Sequence, residues 1–330
     1  MDVAANVSEA PRAALPRWWA RPRSGGLAAL AAVIVLLPLA LANNYFYEVA
    51  ILVALNATVC VGLNLLIGYA GQISLGHAGF FALGGYGSAI LATQYGLPTW
   101  LSLPLACAGV ALLALLIGRP TLRLKGHTLA MATLGLGVII AIVITTEDRL
   151  TGGPDGMSVP ALVLFGWTVS GERTWYWITG AVLLATVWLA FNLIESPRGR
   201  ALRALHGSEV AAQTLGIDSG RAKLQVFVLS ALVAALAGAL MAHYTGFITP
   251  AKASFLHSVE LVIMVVFGGM ASVFGAVVGA AVLTMLPQLL TVLKDYEMMV
   301  FGAALIATMV FFPQGVVPTL AHWWARRRSV

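Results

Sequence analysis

Charge is scarce in this sequence. Lys, Arg, Asp and Glu make up 10% of the 330 residues, whereas a soluble globular protein usually carries about 25%. The stretch 25–118 holds a single charged residue, Glu48, and the stretch 298–325 holds none. One helical crossing of a bilayer needs roughly 20 mostly apolar residues. The composition therefore excludes an ordinary soluble domain and predicts an all-α, polytopic helical membrane protein.

Cysteine is nearly absent as well. Cys60 and Cys107 both lie inside apolar runs without paired spacing, which argues against a disulfide framework or a cysteine-based metal site. The sequence also lacks the HExxH motif of metalloproteases and the GxxxxGK[ST] loop of nucleotide hydrolases. We therefore expect no catalytic residue, no metal site and no cofactor in this chain.

The apolar runs predict about ten transmembrane segments, including broken or short helices. The segment 258–268 is too short to cross a bilayer alone, so 258–291 is interpreted as one hairpin of broken helices. The full set of predicted segments is 26–43, 47–68, 78–94, 98–118, 126–146, 174–194, 222–247, 258–268, 271–291 and 298–316.

Positive charge is distributed unevenly between the two sides of this scheme. If the N-terminus is inside, 15 of the 19 basic residues fall on inner segments, and the outer segments keep only Arg149, Arg173, Lys252 and Lys294. Basic residues accumulate in cytoplasmic loops, so both termini are predicted to be cytoplasmic. The chain then divides into an N-terminal tail 1–24, a transmembrane domain 25–316 and a C-terminal tail 317–330. Because the positive charges follow loops, we expect a lipid bilayer and no nucleic acid as partner.

The first apolar run has an alternative interpretation as a cleaved signal peptide. Arginines precede it, and Ala-Leu-Ala at 40–42 resembles a cleavage site. The run from Gly25 to Ala42 is longer than the apolar core of about 7–15 residues in such peptides. A retained span is therefore favoured, and cleavage stays open as the alternative.

A glycine-rich polar stretch, "GYAGQISLGHAGFFALGGYG" at 68–87, interrupts the apolar runs. Non-helical backbone at membrane depth survives only where protein buries it or where it lines a water-filled cavity. The glycines fit close helix packing, or the stretch is the wall of a permeation path with Gln72, Ser74 and His77 as hydrogen-bonding groups. A purely structural His77 is the alternative for that residue. A second glycine-rich break at 266–282 supports the path, since paired breaks in the two halves of a transporter point to its substrate pathway.

Carboxylates are missing from the middle of the predicted spans. Glu48 and Glu260 lie near span edges, whereas ion-coupled carriers usually bury carboxylates or histidines at midspan. A proton-coupled secondary carrier using His77 and His127 is therefore the weaker alternative, as is a structural subunit with no path of its own.

The longest inner loop, 195–223, predicts two short helices. The first starts at the Ser-Pro pair 196–197 and ends at Gly207. The second is capped by Ser208 and stops at Gly216, where a left-handed backbone is expected. The first helix carries three arginines and fits the anionic surface of the inner leaflet. The second is mildly charged and apolar on one side, so it suits a groove on another protein.

The second helix also carries a family resemblance. Glu-Val-Ala-Ala at 209–212, followed by Gly216, resembles the Glu-Ala-Ala loop that permeases of ABC importers insert into their ATPase subunits, with Val210 in place of alanine. The polar stretch 68–87, "RLKGHTLAMATL" at 123–134 and "LTGGPDGM" at 150–157 extend the match. Over about 46–314 the chain closely resembles LivM-type permeases of high-affinity branched-chain amino acid ABC importers.

The resemblance implies a permease subunit rather than an enzyme, in a bacterial inner membrane. Implied partners are a LivH-type permease subunit in a heterodimer, two cytoplasmic ABC ATPase subunits that hydrolyse ATP, and a periplasmic solute-binding protein. The solute is a branched-chain or related amino acid, with urea, short amides or aromatic acids as alternatives.

The resemblance also implies three sets of site residues. The binding protein would dock on the outer segments 147–173 and 251–258. The predicted translocation path comprises Asn56, Asn64, Gln72, Ser74 and His77. ATPase coupling is assigned to Ser208, Glu209, Ala211, Ala212 and Gly216, and docking of the binding protein to Gly152, Gly153, Asp155 and Gly156.

Overall fold

The structure is a computed structural model that describes residues 23–40, 43–122, 124, 126–164, 166–289 and the single positions 302, 306, 315, 317 and 319. The described chain is mostly helical. In order, the α-helices are α1 (Arg23–Ala40), α2 (Asn44–Asn64), α3 (His77–Thr93), α4 (Thr99–Thr121), α5 (His127–Thr146), α6 (Asp148–Thr151), α7 (Glu172–Glu195), α8 (Pro197–Gly207), α9 (Glu209–Thr214), α10 (Ser219–Thr245), α11 (Phe255–Gly268) and α12 (Val273–Leu289).

Short irregular helices connect some of these elements. A π-helical turn, Leu65–Tyr69, continues α2, so the span runs from Asn44 to Tyr69. Two 3-10 helices occupy Gly153–Asp155 and Pro250–Ala253.

Among the described residues, five helices are long and apolar enough to cross a membrane. They are 44–69, 99–121, 127–146, 172–195 and 219–245. Shorter apolar helices cover 25–39, 255–268 and 273–288, the last two where the sequence predicted a hairpin of broken helices. The predicted crossing 298–316 and the two tails fall almost wholly outside the described residues.

Two small sheets lie outside the helices. β1 (Met157–Ser158) pairs antiparallel with β4 (Phe247–Ile248), and β2 (Val163–Leu164) pairs antiparallel with β3 (Trp167–Thr168). The prediction of an all-α chain missed these strands. Strands of two residues are too short to show the alternating apolar pattern that reveals a strand in a sequence.

The core is built around α2 and α10. α10 packs against α3, α4 and α2, while α2 also contacts α7, α11 and α12. In the apolar stretch of each helix, 78% of the residues are buried for α2 with its π turn and 61% for α10. In the apolar stretches of α4, α5 and α7, at most 39% of the residues are buried. The two central helices therefore carry the interior, and the other three long helices present apolar side chains outward.

Glycines in α3 and α10 allow these two helices to approach closely. A β-carbon at Gly84 would overlap the backbone of Ala235 in α10, and one at Gly238 would overlap the backbone of Phe81 in α3. Small residues permit such backbone contact between membrane helices. The second half of the glycine-rich stretch therefore serves helix packing.

Candidate functional site

The non-helical part of the stretch 68–87 is shorter than the sequence suggests. After the π turn the chain is non-helical only over 70–76, and α3 then begins at His77. Gly71 has a φ of 65°, a conformation that favours glycine. The amide of Gln72 donates to the carbonyl of Leu66 at 3.1 Å. We call residues 70–76 the break segment.

His77 sits at the end of the break segment in a closed chain of hydrogen bonds. Its Nδ1 lies 2.9 Å from Ser74 Oγ, and its Nε2 lies 2.7 Å from Ser230 Oγ in α10. The ring is fully buried and meets the edges or faces of Phe80 and Phe227. Both nitrogens are already occupied, so these contacts favour the structural alternative for His77 and leave the proton-carrier alternative without support here.

Gln72 has a different environment. Its side chain is 3% exposed, and neither amide atom has a hydrogen-bond partner among the described residues. It lines a cavity of about 130 Å³ together with Gly126, His206, Glu209 and Lys223. Buried amides normally find partners, and Gln72 is an exception among the described residues.

Asn64 clamps the turn between α11 and α12. Its Nδ2 donates to the carbonyl of Ser272 at 2.7 Å, and its Oδ1 accepts from the amide of Ala271 at 3.0 Å. Tyr69 donates its hydroxyl to the carbonyl of Ala271 at 2.7 Å. Ala271 has a φ of 60°, which is costly for a residue with a β-carbon. Asn64 thus holds a strained turn, a role that the sequence did not indicate.

Asn56 lines a larger cavity of about 260 Å³ that α2, α3, α10, α11 and α12 enclose. Its Nδ2 donates to Thr284 Oγ1 in α12 at 3.0 Å. None of the other four predicted path residues lines this cavity. The structure therefore does not gather the predicted path residues into one site: Gln72, Ser74 and His77 are neighbours, whereas Asn56 and Asn64 lie apart.

Lys252 and Glu260 also line the cavity at Asn56, and the sequence analysis missed them. The sequence placed Lys252 on an outer docking segment, 251–258. The 3-10 helix Pro250–Ala253 packs against α3 and α5, and Ser258 is buried and accepts from the amide of Ala78 at 3.1 Å. Ala251, Phe255 and Leu256 of the same segment are exposed, and docking of the binding protein on 251–258 stays a prediction. One feature of the sequence could have identified these two residues: Lys252 and Glu260 are the only charged residues in 224–293.

The inner loop folds as the local sequence rules predict. Ser196 Oγ accepts from the amide of Gly199 at the start of α8, and Ser208 Oγ accepts from the amide of Ala211 at the start of α9, both at 3.3 Å. Gly216 has a φ of 80°. The two helices, their serine caps and the glycine stop are confirmed.

The exposed face of α9 differs from the prediction. Ala212 is 1% exposed and lies against its own subunit, because α9 packs on α8 and α10. Val210 and Leu215 are 70% and 80% exposed. Ala212 was expected to face a partner cleft, and that expectation is wrong: a helix of six residues that packs on two neighbours has only part of its circumference left for a partner. Ala211 stays on the exposed side.

Glu209 ties α9 to α10. Its Oε1 lies 2.9 Å from Lys223 Nζ, and the two side chains are 22% and 10% exposed respectively. On the other side of the same small cavity, a β-carbon added at Gly71 would lie 2.8 Å from His206 Nδ1. The last turn of α8 thus contacts the break segment. The loop 195–223 is joined to the rest of the protein at two points.

The glycines of the segment 147–173 that were predicted to dock the binding protein are explained by backbone geometry. Gly152, Gly153 and Gly156 have φ values of 75°, 59° and 80°, and Gly153 is buried. They form the tight turn between α6 and β1. Asp155 is exposed beside them. Because the other three predicted docking residues are glycines, Asp155 is the one of the four whose side chain a binding protein can contact.

No group of His, Cys, Asp and Glu among the described residues is arranged to hold a metal ion.

Similarity to known proteins identifies the family to which the chain belongs. Residues 45–309 match the family described as "Branched-chain amino acid transport system / permease component". The chain belongs to this permease family. It is 33% identical over 295 residues to the high-affinity branched-chain amino acid transport system permease protein LivM of Escherichia coli (strain K12), covering 82% of this chain and 69% of that protein.

More distant relatives widen the range of solutes. The LivH permease protein of the corresponding system of Salmonella typhimurium is 26% identical over 211 residues, covering 60% of this chain and 66% of that protein. The autoinducer 2 import system permease protein LsrC of Escherichia coli O9:H4 is 28% identical over 225 residues, covering 64% of each. No solved structure gives a significant match to the chain.

Proposed function

We propose that this permease family member is the transmembrane subunit of an ABC importer and forms part of the path for branched-chain or related amino acids. The observation that carries the proposal is α9: a capped, rigid helix that projects Val210 and Leu215 from the protein while Glu209 anchors it to α10. Exposed apolar side chains on an anchored helix suit the groove of a partner protein.

The proposed topology follows positive charge. About ten segments cross a bacterial inner membrane, with both termini and the loop 195–223 in the cytoplasm and the loop 147–173 outside. Arg198, Arg200 and Arg203 on α8 are all exposed, as expected for a cytoplasmic surface next to anionic lipid.

The proposed assembly pairs this chain with a LivH-type permease subunit. Two cytoplasmic ATPase subunits supply the energy, since the chain has no Walker A loop of its own. A periplasmic binding protein delivers the solute to the outer loop around Asp155. The LivM and LivH names of the relatives support a system with two kinds of permease.

Coupling in this proposal runs through the inner loop. When the ATPase subunits close, α9 moves with them as a rigid body. Because Glu209 is paired with Lys223, the movement reaches the second turn of α10. Because His206 touches Gly71, it also reaches the break segment, where Gln72 has an unsatisfied amide. The break segment is thus proposed as the inner gate of the path.

Reconstitution tests the proposal directly. The chain is co-expressed with its LivH-type partner and ATPase subunits, placed in proteoliposomes, and supplied with the binding protein. We expect labelled leucine, isoleucine or valine to accumulate only with ATP and the binding protein together. Uptake driven by a proton gradient without ATP would overturn the proposal, and import of urea or short amides in place of amino acids would restrict it to the permease role.

A further inference from the structure

The cavity at Asn56 is lined by polar and charged side chains as well as by apolar ones. Its polar lining comes from separate elements: Asn56 from α2, Lys252 from the 3-10 helix, His257 and Glu260 from α11, and Thr284 and Gln288 from α12. Its volume of about 260 Å³ is near the lower end of the ~300–1,000 Å³ range of small-molecule pockets. That size suits a small solute.

Two polar groups in this cavity have no partner among the described residues. Lys252 is half-buried, and its side chain makes no ion pair or hydrogen bond with the described residues. His257 Nδ1 lies 3.2 Å from Glu260 Oε2, but His257 Nε2 is buried without a partner among the described residues. Ionisable groups among membrane helices are costly and generally serve a ligand or an ion. The unpaired cation and the free ring nitrogen are therefore available for a ligand.

The rest of the lining is apolar and mostly aliphatic. It consists of Leu52, Leu55, Phe81, Met241, Met264, Leu283 and Pro287. Such a surface gains free energy by covering an apolar side chain, and methionine adapts to side chains of different shape. The cavity thus offers a cation, an anion and an apolar wall, which are the complements of an aliphatic amino acid.

We propose that this cavity is a binding site for a free aliphatic amino acid, in which Lys252 binds the α-carboxylate and Glu260 binds the α-ammonium group. Asn56 and Thr284 supply neutral hydrogen bonds beside them. This inference rests on the proposed function and deepens it, since it assigns a zwitterion site within the path. A neutral solute such as urea would leave both charges unpaired, which makes it a poor occupant.

The first test measures uptake by the reconstituted complex at saturating, leucine-loaded binding protein. Lys252→Met and Glu260→Gln are each expected to lower the leucine uptake rate by about tenfold or more, the scale of a lost charge-assisted hydrogen bond. Lys252→Arg keeps the charge and should retain most of the uptake. Arg119→Gln removes an exposed charge at the end of α4 and should match the wild type. Co-purified ATPase subunits report assembly for every variant.

A second measurement identifies which group each residue binds. Labelled leucine is bound to the complex in nanodiscs without the binding protein, and leucinol, which lacks the carboxylate, or isocaproate, which lacks the ammonium group, competes with it. The wild type should prefer leucine to both. Lys252→Met should abolish the preference over leucinol alone, and Glu260→Gln the preference over isocaproate alone.

The outcomes separate this inference from the proposed function. If the wild type imports leucine with ATP while both variants transport normally and keep wild-type preferences, the site is overturned and the permease function stands. If the wild type imports no amino acid under any condition, both are overturned. Residue-specific loss of discrimination in complexes that assemble fully supports the site.

Discussion

The carboxylate of Glu209 in α9 lies 2.9 Å from the ammonium group of Lys223 in α10. The sequence assigned Glu209 to the coupling with the ATPase subunits and indicated no partner for it within the chain. The structure shows a mostly buried ion pair across two helices. Breaking a buried pair by removing one partner costs about 3–5 kcal/mol, because it leaves a charge uncompensated.

The ion pair predicts a specific pattern in a double-mutant cycle. Glu209→Gln and Lys223→Gln should each lower ATP-driven uptake, and the double variant should lose less than the sum of the two. Such non-additivity is typical of residues in direct contact. The control is Asp218 with Arg221, a pair 3.1 Å apart with 57% and 85% exposed side chains, for which we expect little effect on uptake. Additive losses at 209 and 223 would contradict coupling through the pair.

The exposed face of α9 predicts where the ATPase subunits bind. Val210→Asp and Leu215→Asp should detach them or uncouple ATP hydrolysis from uptake, because each places a charge on an apolar contact surface. The measurement is co-purified ATPase and uptake per permease.

A triple Gln variant of Arg198, Arg200 and Arg203 is the matched comparison for α9. If the triple variant loses uptake while Val210→Asp and Leu215→Asp leave it unchanged, transport depends on the contact of α8 with lipid and not on the contact of α9 with the ATPase subunits. Ala212→Glu should instead reduce folded permease, because Ala212 is buried.

Gly71 predicts a steric link between α8 and the break segment. Gly71→Ala should lower uptake for two reasons: a φ of 65° costs a residue with a β-carbon about 1–2 kcal/mol, and the β-carbon meets His206. Gly96→Ala isolates the first cost, since Gly96 has a φ of 64° with open space around it. Adding His206→Ala to Gly71→Ala should recover part of the uptake. Equal effects at 71 and 96 would argue against the link.

Substitution of His77 is expected to lower the stability of the permease and to leave transport by the folded complex intact. His77→Ala leaves the hydroxyls of Ser74 and Ser230 without their ring partner, and an unsatisfied buried group costs about 1–3 kcal/mol. We expect less folded permease, with transport per folded complex preserved, as judged by thermal unfolding and normalised uptake. Ser230→Ala is the milder control. Lost transport with normal folding would restore His77 to the path.

Membrane topology is tested by labelling single cysteines from each side. Arg200→Cys should react from the cytoplasm and Asp155→Cys from outside, since positive charge is retained inside. The same scheme predicts cytoplasmic Arg123 and Arg327 and an outer Asp295, three positions that lie outside the described residues. Outside labelling at position 200 would reverse the proposed orientation of α9.

The sequence by itself determined the features that depend on neighbouring residues. Apolar run length located the long helices, and the serine caps and glycine stop located α8 and α9 almost to the residue. Each of these rests on contacts within a few positions, such as Ser208 Oγ with the amide of Ala211. The donor and the acceptor of each such contact are therefore near neighbours in the sequence.

Only the tertiary structure decided how the polar residues are used. Asn64 bonds to Ser272 and Asn56 to Thr284, more than 200 residues further along the chain. The position of Lys252 between two predicted spans did not indicate its surroundings: its 3-10 helix packs on α3 and α5, and Lys252 lines the cavity at Asn56. Residue type and spacing state what a side chain can bind. Which partner it meets depends on how distant helices pack, because packing decides which polar groups share a buried space.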